Sequence, residues 1–209
     1  MAPVTKQRPR RSLRLQDHDY SQAGAYFVTI CTQKKACILG EITNGEMRLN
    51  KFGNIVKKCL IEIAGHFSNA EIDAFVVMPN HTHGIVSIVD NCRGTACRAP
   101  TEMIERFGKP TACSLPTIVR SFKSAATKRI NASRKTPGAP IWQRNYYEHI
   151  IRNEADLNEI RQYILDNPVK WDVDGENPTR QLPEPSYDNM VGAQHAVPHL
   201  VRRQVCQTR

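Results

Sequence analysis

Two histidines, His81 and His83, lie two residues apart in Met78-Pro79-Asn80-His81-Thr82-His83, between an apolar run at 74–77 and a second at 84–89. In strand-like sequence, residues i and i+2 project from the same face. Both imidazoles then stand side by side, where they can grip one divalent cation. Far down the chain, Tyr163 and Asn167 are four residues apart and share a face of an expected helix. Asn167 offers an amide carbonyl oxygen, a hard ligand suited to Mg²⁺ or Mn²⁺. Tyrosine is a credible nucleophile toward phosphorus when a metal polarises a phosphodiester. Two imidazoles and one amide oxygen would leave coordination positions for a phosphate oxygen and a water. Taken singly, a His pair, a helical Tyr and an Asn before Pro168 are also ordinary structural features. Tyr146 and Tyr147 are rival nucleophiles in an extended segment, and Tyr163 is preferred because only it has a polar partner one turn later.

The elements that must position these groups are legible from periodicity. Residues 25–32 are rich in β-branched and aromatic side chains and read as a strand. Asn44-Gly45 marks a turn between short extended pieces at 38–43 and 46–49. Ile55, Val56, Cys59, Leu60 and Ile63 recur at helical spacing, and strands follow at 70–78 and 81–90. Ile118, Val119, Phe122, Ala125, Ala126 and Ile130 define another helix. Residues 141–142 and 147–152 look extended, and Asn153 is a good N-cap for a helix that carries Leu157, Ile160 and Ile164 and ends at Pro168. Helices interleaved with hairpin-like strands indicate an α+β domain, an antiparallel sheet with helices on one face.

The expected organisation is a basic N-terminal arm at 1–19, a catalytic domain at 20–171 with a loop or insertion at 91–115, and a polar, loosely ordered extension at 172–209. No stretch approaches eighteen consecutive apolar residues, so no membrane span is expected. With no apolar leader at the N-terminus, a cytoplasmic location is expected. The seven cysteines contain no Cys-x-x-Cys pair and suit reduced thiols. Cys92, Cys97 and Cys113 match no zinc template well.

The net charge of +9 is unevenly placed. From Asp172 onward four basic and five acidic residues leave about −1, so the preceding chain carries +10, from 25 basic and 15 acidic residues. Lys6, Arg8, Arg10, Arg11 and Arg14 form an acid-free arm, and Arg120, Lys123, Lys128, Arg129, Arg134 and Lys135 form a second cluster. This balance fits a polyanionic partner. Arg8, Arg10, Arg11, Arg14, Arg120, Lys123, Lys128 and Arg129 are candidate phosphate contacts. Trp142, Arg144 and Tyr146 are candidates for contact with or stacking on unpaired bases.

Three ordered segments carry a family resemblance: 78–83, then 141–152 (Ile-Trp-Gln-Arg-Asn-Tyr-Tyr-Glu-His-Ile-Ile-Arg), then 163–169 (Tyr-Ile-Leu-Asp-Asn-Pro-Val). Over roughly residues 12–171 the chain resembles the REP-associated tyrosine transposases, a branch of the single-tyrosine, His-hydrophobic-His transposases of bacterial insertion sequences. The resemblance implies a ferredoxin-like fold with the His pair on a central strand. It also implies a divalent metal and single-stranded DNA cleavage and transfer at hairpin, REP-like palindromes through a 5′-phosphotyrosine. On motif position His81, His83 and Asn167 become metal ligands and Tyr163 the nucleophile. Thr82 departs from the usually hydrophobic middle position, but its side chain points away from both histidines. The resemblance is compatible with a monomer or a homodimer. A domesticated protein that binds palindromic DNA without cutting it is the alternative.

Overall fold

The structure is a computed structural model that describes residues 18–89 and 111–180. Six strands and four helices follow in the order β1 (Gly24–Cys31), β2 (Gly40–Thr43), β3 (Glu46–Leu49), α1 (Lys51–Ile61), α2 (Ile63–His66), β4 (Ala70–Val77), β5 (His81–Ile88), α3 (Leu115–Arg134), β6 (Tyr147–Ile151) and α4 (Glu154–Asp166). The main sheet has the order β4–β5–β1–β6 with every neighbouring pair antiparallel, and β2–β3 form a separate hairpin. Setting the hairpin aside, the succession β1–α1–β4–β5–α3–β6 is the ferredoxin-like βαββαβ arrangement.

Strand alternation divides the core in two. Tyr26, Val28 and Ile30 of β1 and Val86 and Ile88 of β5 face a layer built by Val56, Cys59 and Leu60 of α1 and Ile118, Val119, Phe122, Ala126 and Ile130 of α3. The intervening residues Phe27 and Ile85 face the opposite side and pack on Ile160 and Ile164 of α4. The expected placement of helices on one face therefore holds for α1 and α3. α4 is an addition on the other face, because its Ile160–Ile164 stripe covers the second apolar surface of the sheet.

Local signals account for several boundaries. Asn50 caps α1 by accepting from the backbone N–H groups of Phe52 and Gly53, and Asn153 caps α4 by accepting from Asp156 N–H. Asn44 and Gly45 both adopt positive φ, 54° and 74°, as a two-residue hairpin turn of the I′ type requires. A bulge interrupts β4 between Ile72 and Ala74, leaving Asp73 out of the ladder. That carboxylate receives a two-pronged contact from Arg161, Nε to Oδ2 at 2.8 Å and Nη2 to Oδ1 at 2.9 Å, which ties α4 to the sheet edge. No helix among the described residues is long and apolar enough to cross a membrane.

The chain past Trp171 differs from the expected loose extension over the stretch that is described. A single 3₁₀ turn at Trp171–Val173 leads into Gly175 and Glu176, whose carbonyls accept from Lys35 Nζ and Asn80 Nδ2 beside the start of β5. Trp171 and Asn177 are buried, and Asn177 Nδ2 donates to the Trp171 carbonyl at 3.0 Å. The polar, Pro-rich composition of the segment concealed this, because its anchoring is through hydrogen bonds and one ring rather than an apolar stripe.

Candidate active site

β5 carries both imidazoles on the α4 face, as the i, i+2 spacing requires, and both are buried. Their Nε2 atoms are 3.0 Å apart. His81 has a determined tautomer. Asn80 Nδ2 donates to the carbonyls of Lys35 (3.1 Å) and Glu176 (2.7 Å), so its Oδ1 faces His81 Nδ1 at 2.8 Å. An amide oxygen only accepts, hence His81 Nδ1 carries the proton and Nε2 presents a lone pair. His83 Nδ1 meets the Thr29 hydroxyl at 2.8 Å, a group able to accept or donate. With Thr29 accepting, both Nε2 lone pairs converge on one point, and the two Nδ1 contacts orient the rings as outer partners of metal-bound histidines do.

α4 brings the phenol to the same point. Tyr163 Oη lies 3.4 Å from His83 Nε2. Phe27 of β1 fixes both rings, stacked on His83 at 5.3 Å and edge-on to Tyr163 at 6.0 Å. Asn167 is 3% exposed, lies close enough to His81 and Tyr163 to influence the titration of both, and its Oδ1 is buried without a hydrogen-bond partner among the described residues. A buried acceptor left open costs free energy, on the order of 1–3 kcal/mol, unless something else satisfies it.

This donor set fits a divalent cation. With nitrogen–metal bonds of about 2.1 Å, nitrogens 3.0 Å apart occupy adjacent corners of an octahedron. The open Asn167 oxygen could supply a third donor. A carboxylate, absent from the candidates read in the sequence, also reaches the cluster. Asp174 Oδ2 is 3.8 Å from His81 Nε2, and the ligating atoms of His81, His83 and Asp174 lie within 4.8 Å of one another. Nothing in the local pattern around Asp174 marks it, since only the fold of residues 171–177 carries it there.

Burial sets the electrostatics. Desolvation, with the neighbouring imidazole and Lys35, holds His81 well below the usual histidine range, and desolvation lowers His83 to about 3. Both are therefore neutral and ligand-competent near neutral pH. Burial, and then the Asp174 carboxylate, push the Tyr163 phenol well above its ordinary value, while the Asn167 amide pulls it down. Burial also raises Asp174, against a backbone hydrogen bond from Glu176 that lowers it.

The expected DNA contacts divide. Arg8, Arg10, Arg11 and Arg14 lie outside the described residues. Arg120, Lys128 and Arg144 are exposed and line a groove between α3 and residues 137–144. Trp142 is a correction: it is 7% exposed and packs on Phe122 at 5.6 Å, so its ring belongs to the core and is not free to stack on a base. Lys123 is another. Its ammonium is largely buried, donates to the carbonyls of Gln143 (2.9 Å), Arg144 (3.3 Å) and Asn145 (2.9 Å), and burial lowers it to about 8. Tyr146 is half-buried against the main core, with the Lys123 ammonium 5.5 Å from its ring centre. Arg129 is exposed but engaged with Glu62 at 2.6 Å. The positive charges counted along α3 thus serve two purposes, and only the outer ones are free for an anionic partner.

No family model matches the chain. It is 42% identical over 167 residues to a Haemophilus influenzae protein without a functional name, an alignment covering 79% of this chain and 91% of the relative. A second H. influenzae protein, named as a REP-associated tyrosine transposase, is 26% identical over 152 residues, covering 73% of this chain and 74% of that one. A solved structure of a REP-associated tyrosine transposase bound to a REP hairpin shares the fold, with a TM-score of 0.50 at 21% identity over 76% of this chain and 74% of that one. Sequence similarity over most of the domain and a common architecture agree: the chain is similar to a REP-associated tyrosine transposase and shares that protein family's fold.

Proposed function

We propose that this protein cleaves and rejoins single-stranded DNA at hairpin repeats, with Tyr163 as nucleophile at a cation site formed by His81, His83 and Asn167. The observation that carries the reading is the 3.4 Å approach of Tyr163 Oη to His83 Nε2, beside a second Nε2 only 3.0 Å further on. His81, His83 and Asn167 would hold a Mg²⁺ or Mn²⁺ ion there, which would supply charge neutralisation at a phosphate oxygen and favour the phenolate over the phenol.

The chain's own residues do the rest. Phe27 and the Ile160–Ile164 stripe hold the phenol in place, and Asn167 lies beside the phenol and His81, where it favours the phenolate. In cleavage the Tyr163 Oη–P bond forms and the P–O3′ bond breaks. The phenolic proton leaves to water, and the departing 3′ oxygen gains one from water. The phosphotyrosine ester retains the energy of the broken linkage, so a 3′-hydroxyl of another strand can reverse the step and join strands without a nucleotide cofactor. Nucleophile and imidazoles come from one chain, which favours a site complete in a single copy. Arg120, Lys128 and Arg144 would meet backbone phosphates.

The test is incubation with hairpin oligonucleotides and Mn²⁺. A covalent protein–DNA adduct that is lost in Tyr163→Phe and in chelator is expected. Cleavage retained by Tyr163→Phe would instead assign the attack to water, and binding without any adduct across a broad panel would mark a non-cleaving palindrome-binding protein.

A further inference from the structure

We propose that Asp174 is a fourth protein ligand of this cation, so that residues 171–177 are part of the metal site and not an appendage to it. The inference rests on the cation site described above and adds to it. Asp174 Oδ1 accepts from Glu176 N–H at 2.7 Å, which leaves Oδ2 as the free oxygen, and Oδ2 faces His81 Nε2 across 3.8 Å. That distance is too long for a hydrogen bond. Nor is there a proton to share, because the Asn80 contact places the His81 proton on Nδ1. A carboxylate oxygen and an imidazole lone pair thus face each other in a buried space, an arrangement that is unfavourable until a positive charge sits between them.

The separations suit one ion. In an octahedron with bonds of about 2.1 Å, donor atoms lie roughly 3.0 Å apart at adjacent corners and about 4.2 Å apart across the centre. The 3.0 Å between imidazoles matches adjacent corners, and the 3.8 Å from imidazole to carboxylate, with all three ligating atoms within 4.8 Å of one another, requires only a small closure onto the ion.

The segment is also built to hold the carboxylate there. Asn80 does two jobs: Oδ1 sets the His81 tautomer, and Nδ2 binds the Glu176 carbonyl at 2.7 Å. Lys35 Nζ pairs with Glu176 Oε2 at 3.1 Å and donates to the Gly175 carbonyl at 3.3 Å. On the other side, the buried Trp171 ring lies 6.0 Å from the His81 ring. A ligand oriented through one partner and anchored through several is what a preorganised metal site requires. Chemically, two imidazoles and an amide leave the ion's full double charge, whereas a carboxylate reduces it to one and suits hard cations. Four protein donors leave two octahedral positions, enough for a phosphate oxygen and one further oxygen.

Mn²⁺ binding to the full chain, followed by loss of the free-ion electron paramagnetic resonance signal, tests this. Asp174→Asn is expected to weaken Mn²⁺ by more than about tenfold, while its melting temperature in chelator stays near that of the unsubstituted chain. Infrared difference spectra of the unsubstituted protein with one equivalent of Mn²⁺ should show a shifted carboxylate stretch, and this reading does not depend on how any variant folds. Unchanged affinity in a folded Asp174→Asn, or one bound Mn²⁺ without a carboxylate shift, would overturn the proposal and leave the His pair standing. If the His81→Gln/His83→Gln variant bound Mn²⁺ as the unsubstituted chain does, the cation site itself would fall.

Discussion

The phenol oxygen of Tyr163 lies 3.4 Å from Nε2 of His83, although eighty residues separate them in the chain. Two different packing features produce this contact. The Ile160 and Ile164 side chains seat α4 on Phe27 and Ile85, and the Arg161–Asp73 fork fixes its position along the edge of the sheet. Phe27 touches both rings and so transmits the strand's position to the helix.

In the proposed reaction the phenol attacks but does not serve as a ligand of the ion. Tyr163→Phe should therefore lower adduct formation by more than about a thousandfold while changing Mn²⁺ affinity by less than about threefold. Parallel adduct gels and Mn²⁺ titrations of the same preparation measure both. A large loss of Mn²⁺ affinity would mean that the phenol oxygen coordinates in the resting protein.

Asn80 sets the His81 tautomer and anchors the Glu176 carbonyl through opposite ends of one amide. Asn80→Ala should weaken Mn²⁺ by about 10–100-fold although the residue is not itself a donor to the ion. Asn80→Asp keeps an acceptor for the His81 N–H and should lose less. Equal Mn²⁺ affinities in the two variants would show that the tautomer lock does not matter.

The buried imidazoles give stability a definite dependence on pH in the absence of metal. Desolvation depresses both in the folded chain, His83 to about 3, whereas unfolding returns them to about 6.5. Between those values the unfolded chain binds more protons, so stability is fully present above about pH 6.5 and falls as pH drops toward 3. Each imidazole contributes a slope of up to about 1.4 kcal/mol per pH unit. Urea denaturation in chelator from pH 7.5 to 5 should show this loss, and His81→Gln/His83→Gln should flatten it. A variant with the same slope would exclude the pair as its source.

Lys123 and its neighbours on α3 should separate cleanly in mutational tests. Lys123→Met removes the donor to three carbonyls and should destabilise by about 1–3 kcal/mol. Arg120→Ala and Lys128→Ala alter exposed side chains and should leave stability within about 0.5 kcal/mol. Each should instead reduce the salt dependence of DNA binding by about one phosphate contact. Denaturation curves and binding at several salt concentrations distinguish the two classes, and a Lys128→Ala variant with an unaltered salt slope would remove it from the DNA contacts.

Much of this arrangement follows from short-range backbone geometry, and that part was legible in the chain. A period of two puts His81 and His83 on one face of β5, a period near four aligns Tyr163 with Asn167 on α4, and Asn153 and Asn44-Gly45 mark a cap and a turn by their local chemistry. What local spacing cannot supply is the identity of partners brought together by sheet register and chain return. Thr29 reaches His83 because β1 pairs with β5 in one register, and Asp174 reaches His81 only because residues 171–177 turn back over the strand end. Charge counting likewise treated Lys123 and Lys128 alike, since the carbonyls that draw one ammonium inward belong to a different segment, at 143–145. Periodicity tells which face a side chain takes on its own element. Only the packing of elements against one another decides whether that face meets solvent, a carbonyl or a second imidazole, because those contacts link residues far apart in the chain.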